Sequence, residues 1–117
     1  MRDHTKLRAF KLADELVAMV YEFTAGFPKE EQVGLTAKIR RAAVAVPSKI
    51  VEGCTCDLQE DFLRFLYSAY GSLRALRYQL DLSRRLSLVP IHDGPEAEDK
   101  IIETEKVLFG LIRSLKK

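Results

Sequence analysis

The sequence predicts an all-α protein, an antiparallel up-and-down four-helix bundle with residues 1–117 forming a single domain. Three observations carry this prediction. Apolar residues recur three and four apart along four segments, which gathers them on one face of a helix. No segment alternates apolar and polar residues as a half-buried strand does. The breaks between segments are short, and short connections join antiparallel neighbours.

The first helix is expected from about Thr5 to Thr24, with Leu12, Leu16, Met19, Val20 and Phe23 on its core face. Phe10, Ala13, Val17 and Tyr21 form a second apolar stripe beside it. Gly26 and Phe27-Pro28 then break the pattern, and Pro28 suits the first turn of a following helix.

The second helix is expected from about Lys29 to Cys54, with Leu35, Ile39, Ala42, Ala43, Val46 and Ile50 facing the core. Val44 and Val51 lie well round from that face, beside Arg40 and Pro47. Proline removes a backbone hydrogen bond and crowds the carbonyl four residues back, so a bend is expected at Pro47. Two helices divided there are the alternative; the apolar spacing keeps its phase through the proline and favours one bent helix.

Asp57 with Glu60 three residues later has the spacing of a capping box. The third helix follows from Leu58 to about Leu86, with Leu58, Phe62, Phe65, Leu66, Ala69, Leu73, Leu76 and Leu80 inward. Its opposite side carries Leu63, Tyr67, Tyr70, Arg74, Arg77, Tyr78 and Arg85, and Pro90 closes the region. Asp93-Gly-Pro-Glu96 has the form of a second capping box. The last helix then runs to about Leu115, with Ile101, Leu108, Phe109, Ile112 and Leu115 inward and Lys116-Lys117 at its C-terminal dipole.

Composition narrows the function classes. The net charge is +2, from 19 basic and 17 acidic residues, so affinity for nucleic acid needs local clustering or a surface repeated in an oligomer. The cysteines Cys54 and Cys56 are too close together to frame a disulfide scaffold and read as reduced thiols of a cytoplasmic protein. MRDHTKLRAF lacks the apolar run of a signal peptide, and no stretch is long enough to cross a bilayer, so no membrane partner is expected.

Phe10, Val17, Tyr21, Val44, Val51, Leu63, Tyr67, Tyr70 and Tyr78 exceed what the core of a lone bundle needs. Two readings stand: some of them widen the core face, as helical stripes do, or copies of the chain cover them. Self-association is the preferred reading, with Arg40 grouped in the same interface.

No enzymatic site emerges. Di-iron bundles need Glu-x-x-His pairs on facing helices, and His4 and His92 complete none. Cys54-x-Cys56 offers two soft ligands where structural zinc takes four. Neither a nucleophile–base spacing nor a phosphate-cradling glycine loop is present, and no cofactor is expected. The basic residues Lys38, Arg41, Lys49, Arg74, Arg77, Arg84 and Arg85 remain, those of the third helix interleaved with tyrosines. Arginine beside tyrosine can hold phosphates and stack on unpaired bases. The same residues can equally be consumed by ion pairs and subunit contacts, and Arg41 by a pair with Glu52 or with an acid on a neighbouring helix.

FPKEEQVGLTAKIRRAAVAVPSKIVEG followed by FLRFLYSAYGSLRALRYQLDLSRRL resembles the four-helix-bundle family of proteins encoded in intervening sequences of bacterial large-subunit ribosomal RNA genes. The residues that carry the likeness include Phe27, Pro28, Glu30, Gly34, Leu35, Arg40, Arg41, Ala42, Pro47, Glu52, Gly53, Phe65, Leu66, Gly71, Ser72 and Leu73. The family is similar in turn to the accessory variability determinant protein of diversity-generating retroelements. The resemblance implies a homopentamer around a central channel, and binding of structured RNA or of a reverse transcriptase–RNA assembly. Lys38 stands where glutamine is common, Lys49 where asparagine is common, Cys54 where a small or aromatic residue is usual and Ala75 where glutamate is frequent. The changes at 49 and 75 put in doubt any buried polar link between the second and third helices.

Overall fold

The computed structural model describes residues 1–89 and 94–116. Four long helices make up the fold: α1 (Arg8–Ala25), α2 (Leu35–Cys54), α3 (Gln59–Arg85) and α4 (Pro95–Leu115). Single 3-10 turns at His4–Lys6 and Lys29–Glu31 precede α1 and α2. Packing runs in a square, α1 on α2, α2 on α3, α3 on α4 and α4 on α1, with neither diagonal pair in contact among the described residues. Cross-links at both ends show that neighbours are antiparallel. Arg40 of α2 reaches Thr24 at the end of α1, while the backbone N–H of Arg2 donates to the Cys54 carbonyl at the end of α2. Gln59 and Arg84, at the two ends of α3, bond to Leu115 and Glu98 of α4.

The core is the set of inward stripes. Leu12, Leu16, Val20, Ile39, Ala43, Val46, Ile50, Phe62, Leu66, Ala69, Leu73, Leu76, Leu80, Ile101, Leu108 and Ile112 are all buried. Ala13, read as part of a second stripe, belongs to this core, and Phe10, Val17, Leu63 and Tyr70 are half-buried against it. Those four therefore widen the core face, as an apolar stripe broader than one row does.

Several expectations are corrected. Leu58 is exposed and stands as the N-cap of α3 with no side-chain cap, so the Asp57–Glu60 capping box does not form. Asp57 instead faces the terminal amino group of Met1 at 3.8 Å. Phe109 is exposed, because it lies about 100° round the helix from the buried Leu108. Helix α2 begins at Leu35 rather than Lys29: Gly34, at φ −91° and ψ −110°, leaves helical geometry and separates the preceding turn from α2. Pro28 accordingly caps the 3-10 turn instead of opening α2. The helix is unbroken through Pro47, which is buried rather than outward. The Asp93–Glu96 capping box, the Pro90 stop, the His92 loop and Lys117 involve residues outside those described; Pro95 does occupy the first turn of α4.

Two glycines sit where a side chain has no room. A Cβ on Gly53 would lie 2.9 Å from Phe65 Cβ and 3.1 Å from Phe62 Cδ1, so α2 and α3 meet there at backbone distance. Gly94 has φ +101°, a left-handed conformation that glycine adopts without strain. A Cβ there would lie 2.5 Å from the Phe23 ring.

Candidate nucleic-acid and assembly surfaces

Hydrogen bonds from α3 to α4 decide which cations are free. Arg77 Nη1 donates to Glu105 Oε1 at 2.8 Å, and Arg74 Nε lies 3.5 Å from Glu105 Oε2, an ion pair without hydrogen-bond geometry. Glu105 is buried, and two guanidinium groups compensate the carboxylate that would otherwise be costly to desolvate. Hydrogen bonding to Tyr70 and the Glu105 charge together push Arg74 further toward its protonated form. Arg84 pairs with Glu98 and donates to the Gly94 carbonyl at 3.0 Å; Arg85 bonds Asp81 at 3.0 Å within its own helix. The four α3 arginines proposed from sequence for nucleic acid thus all have carboxylate partners: Arg74, Arg77 and Arg84 pair with Glu105 and Glu98 of α4, and Arg85 with Asp81 of its own helix.

The α2 cations divide. Lys49 Nζ donates to Ser72 Oγ of α3 at 2.8 Å. Lysine thereby supplies a partly buried polar link between the second and third helices, the link that the departures at 49 and 75 put in doubt. Lys38 and Arg41 are exposed and have no ion pair among the described residues, so the Arg41–Glu52 pairing is not found. Arg40 is structural: its Nε donates to Thr24 Oγ1 at 2.8 Å and its guanidinium lies 4.5 Å above the Tyr21 ring. It also reaches the Tyr21 carbonyl, at 3.4 Å, where a cation meets the negative end of the α1 dipole.

Sequence reasoning missed the α4 side of the α3–α4 seam. Ile102, Lys106, Phe109, Arg113 and Lys116 follow one another at helical spacing along one stripe. Lys106, Arg113 and Lys116 have no ion pair among the described residues. Phe109 stacks obliquely on Tyr70, ring centroids 5.4 Å apart, and Lys116 Nζ lies 5.7 Å from the Tyr67 ring. The spacing was legible; reading Phe109 as inward hid it.

Four of the exposed apolar side chains, Tyr21, Val44, Tyr67 and Tyr78, lie on two separate surfaces. Tyr21 and Val44, 42% and 40% exposed, line an open groove of about 910 Å³ along the α1–α2 seam. Tyr67 and Tyr78, 43% and 59% exposed, share the outer stripe of α3 with Gly71 between them. Val51 is half-buried.

Cys54 is buried, which pushes its thiol up, and the N-terminal strap covers the end of α2: the Arg2 guanidinium lies 4.1 Å from the Phe62 ring and donates to the Cys56 carbonyl. No cluster of three or more His, Cys, Asp or Glu with the arrangement of a metal site occurs among the described residues. Among them, too, no helix is long and apolar enough to cross a membrane.

A family model described as "23S rRNA-intervening sequence protein" matches residues 5–110. The chain belongs to this family. A protein of unknown function from the S23 ribosomal protein family of Bacteroides thetaiotaomicron has a crystal structure similar to this one. The TM-score is 0.80 at 17% identity, over 90% of this chain and 95% of that chain. At that identity the likeness concerns the fold. No curated protein matches the chain. Within this intervening-sequence protein the family hallmarks have structural places: Gly53 at the α2–α3 crossing, Arg40 over the end of α1, and Ser72 as the acceptor for Lys49.

Proposed function

We propose that this intervening-sequence protein is a non-enzymatic bundle that assembles with copies of itself, as a pentameric ring, and holds structured RNA on the assembly. The observation that carries the reading is the pair of unlike apolar surfaces, the Tyr21–Val44 groove and the Tyr67–Tyr78 stripe, on different sides of one bundle. A contact between unlike surfaces is head-to-tail and generates a ring when the rotation closes. Tyr67 and Tyr78 of one copy seat in the α1–α2 groove of the next.

RNA enters through Lys38 and Arg41 on α2 and Lys106, Arg113 and Lys116 on α4, cations without an ion pair among the described residues. The net charge of one chain is only +2, and a ring multiplies each weak contact into avidity. A nucleoprotein such as a reverse transcriptase–RNA complex would use the same cations through its RNA. A protein-only scaffold predicts no RNA binding at any salt concentration.

Val44→Asp and Tyr67→Asp test the assembly, because each introduces a charge on a surface the bundle itself leaves exposed. Both variants are expected to keep wild-type helical circular dichroism and to elute as single chains. Retention of the wild-type assembly size by both variants excludes these interfaces. A gel-shift series with a structured RNA tests the second half: binding at low salt must weaken steeply as salt rises, and no shift at low salt excludes it.

A further inference from the structure

We infer that the α3–α4 cleft is a site for an unpaired nucleotide of an RNA strand, with the base on Phe109 and its flanking phosphates on Lys106 and Arg113. The inference rests on the RNA reading above and deepens it. The cleft has a volume of about 390 Å³, with Tyr70 and Arg77 on one bank, Lys106, Phe109 and Arg113 on the other, and the Glu105 carboxylate between. That volume is at the small end of ligand pockets, fitting one ring system rather than a helix or a duplex.

The chemistry of the lining selects the ligand class. Phe109 is 41% exposed and already leans on Tyr70 with an interplanar angle of 47°, so one aromatic face is free beside a second ring that holds it in place. Lys106 and Arg113 are exposed on the same stripe, seven residues apart, or about 10 Å along a helix rising 1.5 Å per residue. They stand on either side of Phe109 and reach the phosphates before and after a base stacked there. An acidic peptide would use the cations and leave the aromatic ring idle. A duplex would offer phosphates but keep its bases stacked on one another. A splayed-out nucleotide uses both, the usual mode of recognition for unpaired RNA. Glu105, hydrogen-bonded to Arg77 and ion-paired with Arg74, puts a carboxylate inside the cleft that repels phosphate and leaves the anion to the rim.

Fluorescence anisotropy on the full chain tests this. The probes are a short labelled single-stranded oligoribonucleotide, the same sequence as a duplex, and adenosine monophosphate as competitor. The single strand is expected to bind at least tenfold tighter than the duplex and than the mononucleotide. Phe109→Ala, at a half-exposed position against Tyr70, is expected to stay folded with a melting temperature lowered by no more than a few degrees. It is expected to weaken the single strand about tenfold or more, in line with the measured range for base–aromatic stacking. It should leave the duplex unchanged. Lys106→Gln with Arg113→Gln should flatten the logarithmic salt dependence by about 1.4, at about 0.7 per phosphate contact on single strands. Single-stranded binding unchanged in Phe109→Ala, or equal affinity for strand and duplex, overturns the site while leaving RNA binding standing. A mononucleotide that binds as tightly as the strand overturns the strand assignment. Failure of every RNA to bind at low salt sinks the broader reading instead.

Discussion

Leu73→Asp is expected to unfold the chain. Leu73 is fully buried at the centre of α3, within the cluster that joins all four helices. The substitution removes about 2–5 kcal/mol of buried side-chain packing. It also places a carboxylate inside the buried apolar cluster, a further cost of several kcal/mol until the group takes up a proton. Domains of this size have about 5–15 kcal/mol of total stability, so the combined loss is comparable with the whole. Circular dichroism should show lost helicity and no cooperative melt at neutral pH. Ile39→Asp, equally buried on α2, should behave in the same way. Leu58→Asp is the control: Leu58 is exposed at the α3 N-cap, where a carboxylate is favourable. A Leu73→Asp protein that melts like wild type would contradict the core assignment.

Gly53→Val is expected to have the next largest effect. A Cβ on Gly53 already falls 2.9 Å from Phe65 Cβ, and the two further methyl groups of valine have no space. Overpacking of this kind costs about 1–3 kcal/mol or more, because α2 and α3 must separate along the most extensive seam of the bundle. Gly53→Ala should also destabilise, by less, since alanine regains about 1 kcal/mol of helix propensity. Gly110→Ala provides the contrast. Nothing lies within 4 Å of its Cβ position, so the propensity gain stands alone and the melting temperature should rise by a few degrees. Thermal melts of the three variants therefore bracket wild type, and a Gly53→Val protein as stable as wild type would show that the α2–α3 approach is looser than described.

Helical spacing made the inward stripes legible because only one face of each helix can meet both of its neighbours at once. The stripes of α2 and α3 were read nearly residue for residue. Adjacent apolar residues were harder. Leu108 and Phe109 are both good core residues, and only the position of α3 decides that Leu108 turns in and Phe109 out. Burial of Glu105 was invisible for the same reason: its compensation comes from Arg74 and Arg77, 31 and 28 residues away. Sequence placed those arginines on an open face, whereas the fold gives them a carboxylate. On α4, Lys106, Arg113 and Lys116 have no ion pair among the described residues, and there unremarkable composition concealed a regular stripe. Gly53 carried its own signal, as a glycine inside a helical pattern where close packing is the usual reason, but nothing local identified Phe62 and Phe65 as the groups it accommodates.

The proposed self-association would account for the exposed apolar surfaces and would put so small a net charge to use. Light scattering on the purified chain, at micromolar concentration and ordinary salt, measures it directly. A ring of five predicts a mass five times the 13.3 kDa of one chain. A mass of 13.3 kDa at that concentration would contradict it.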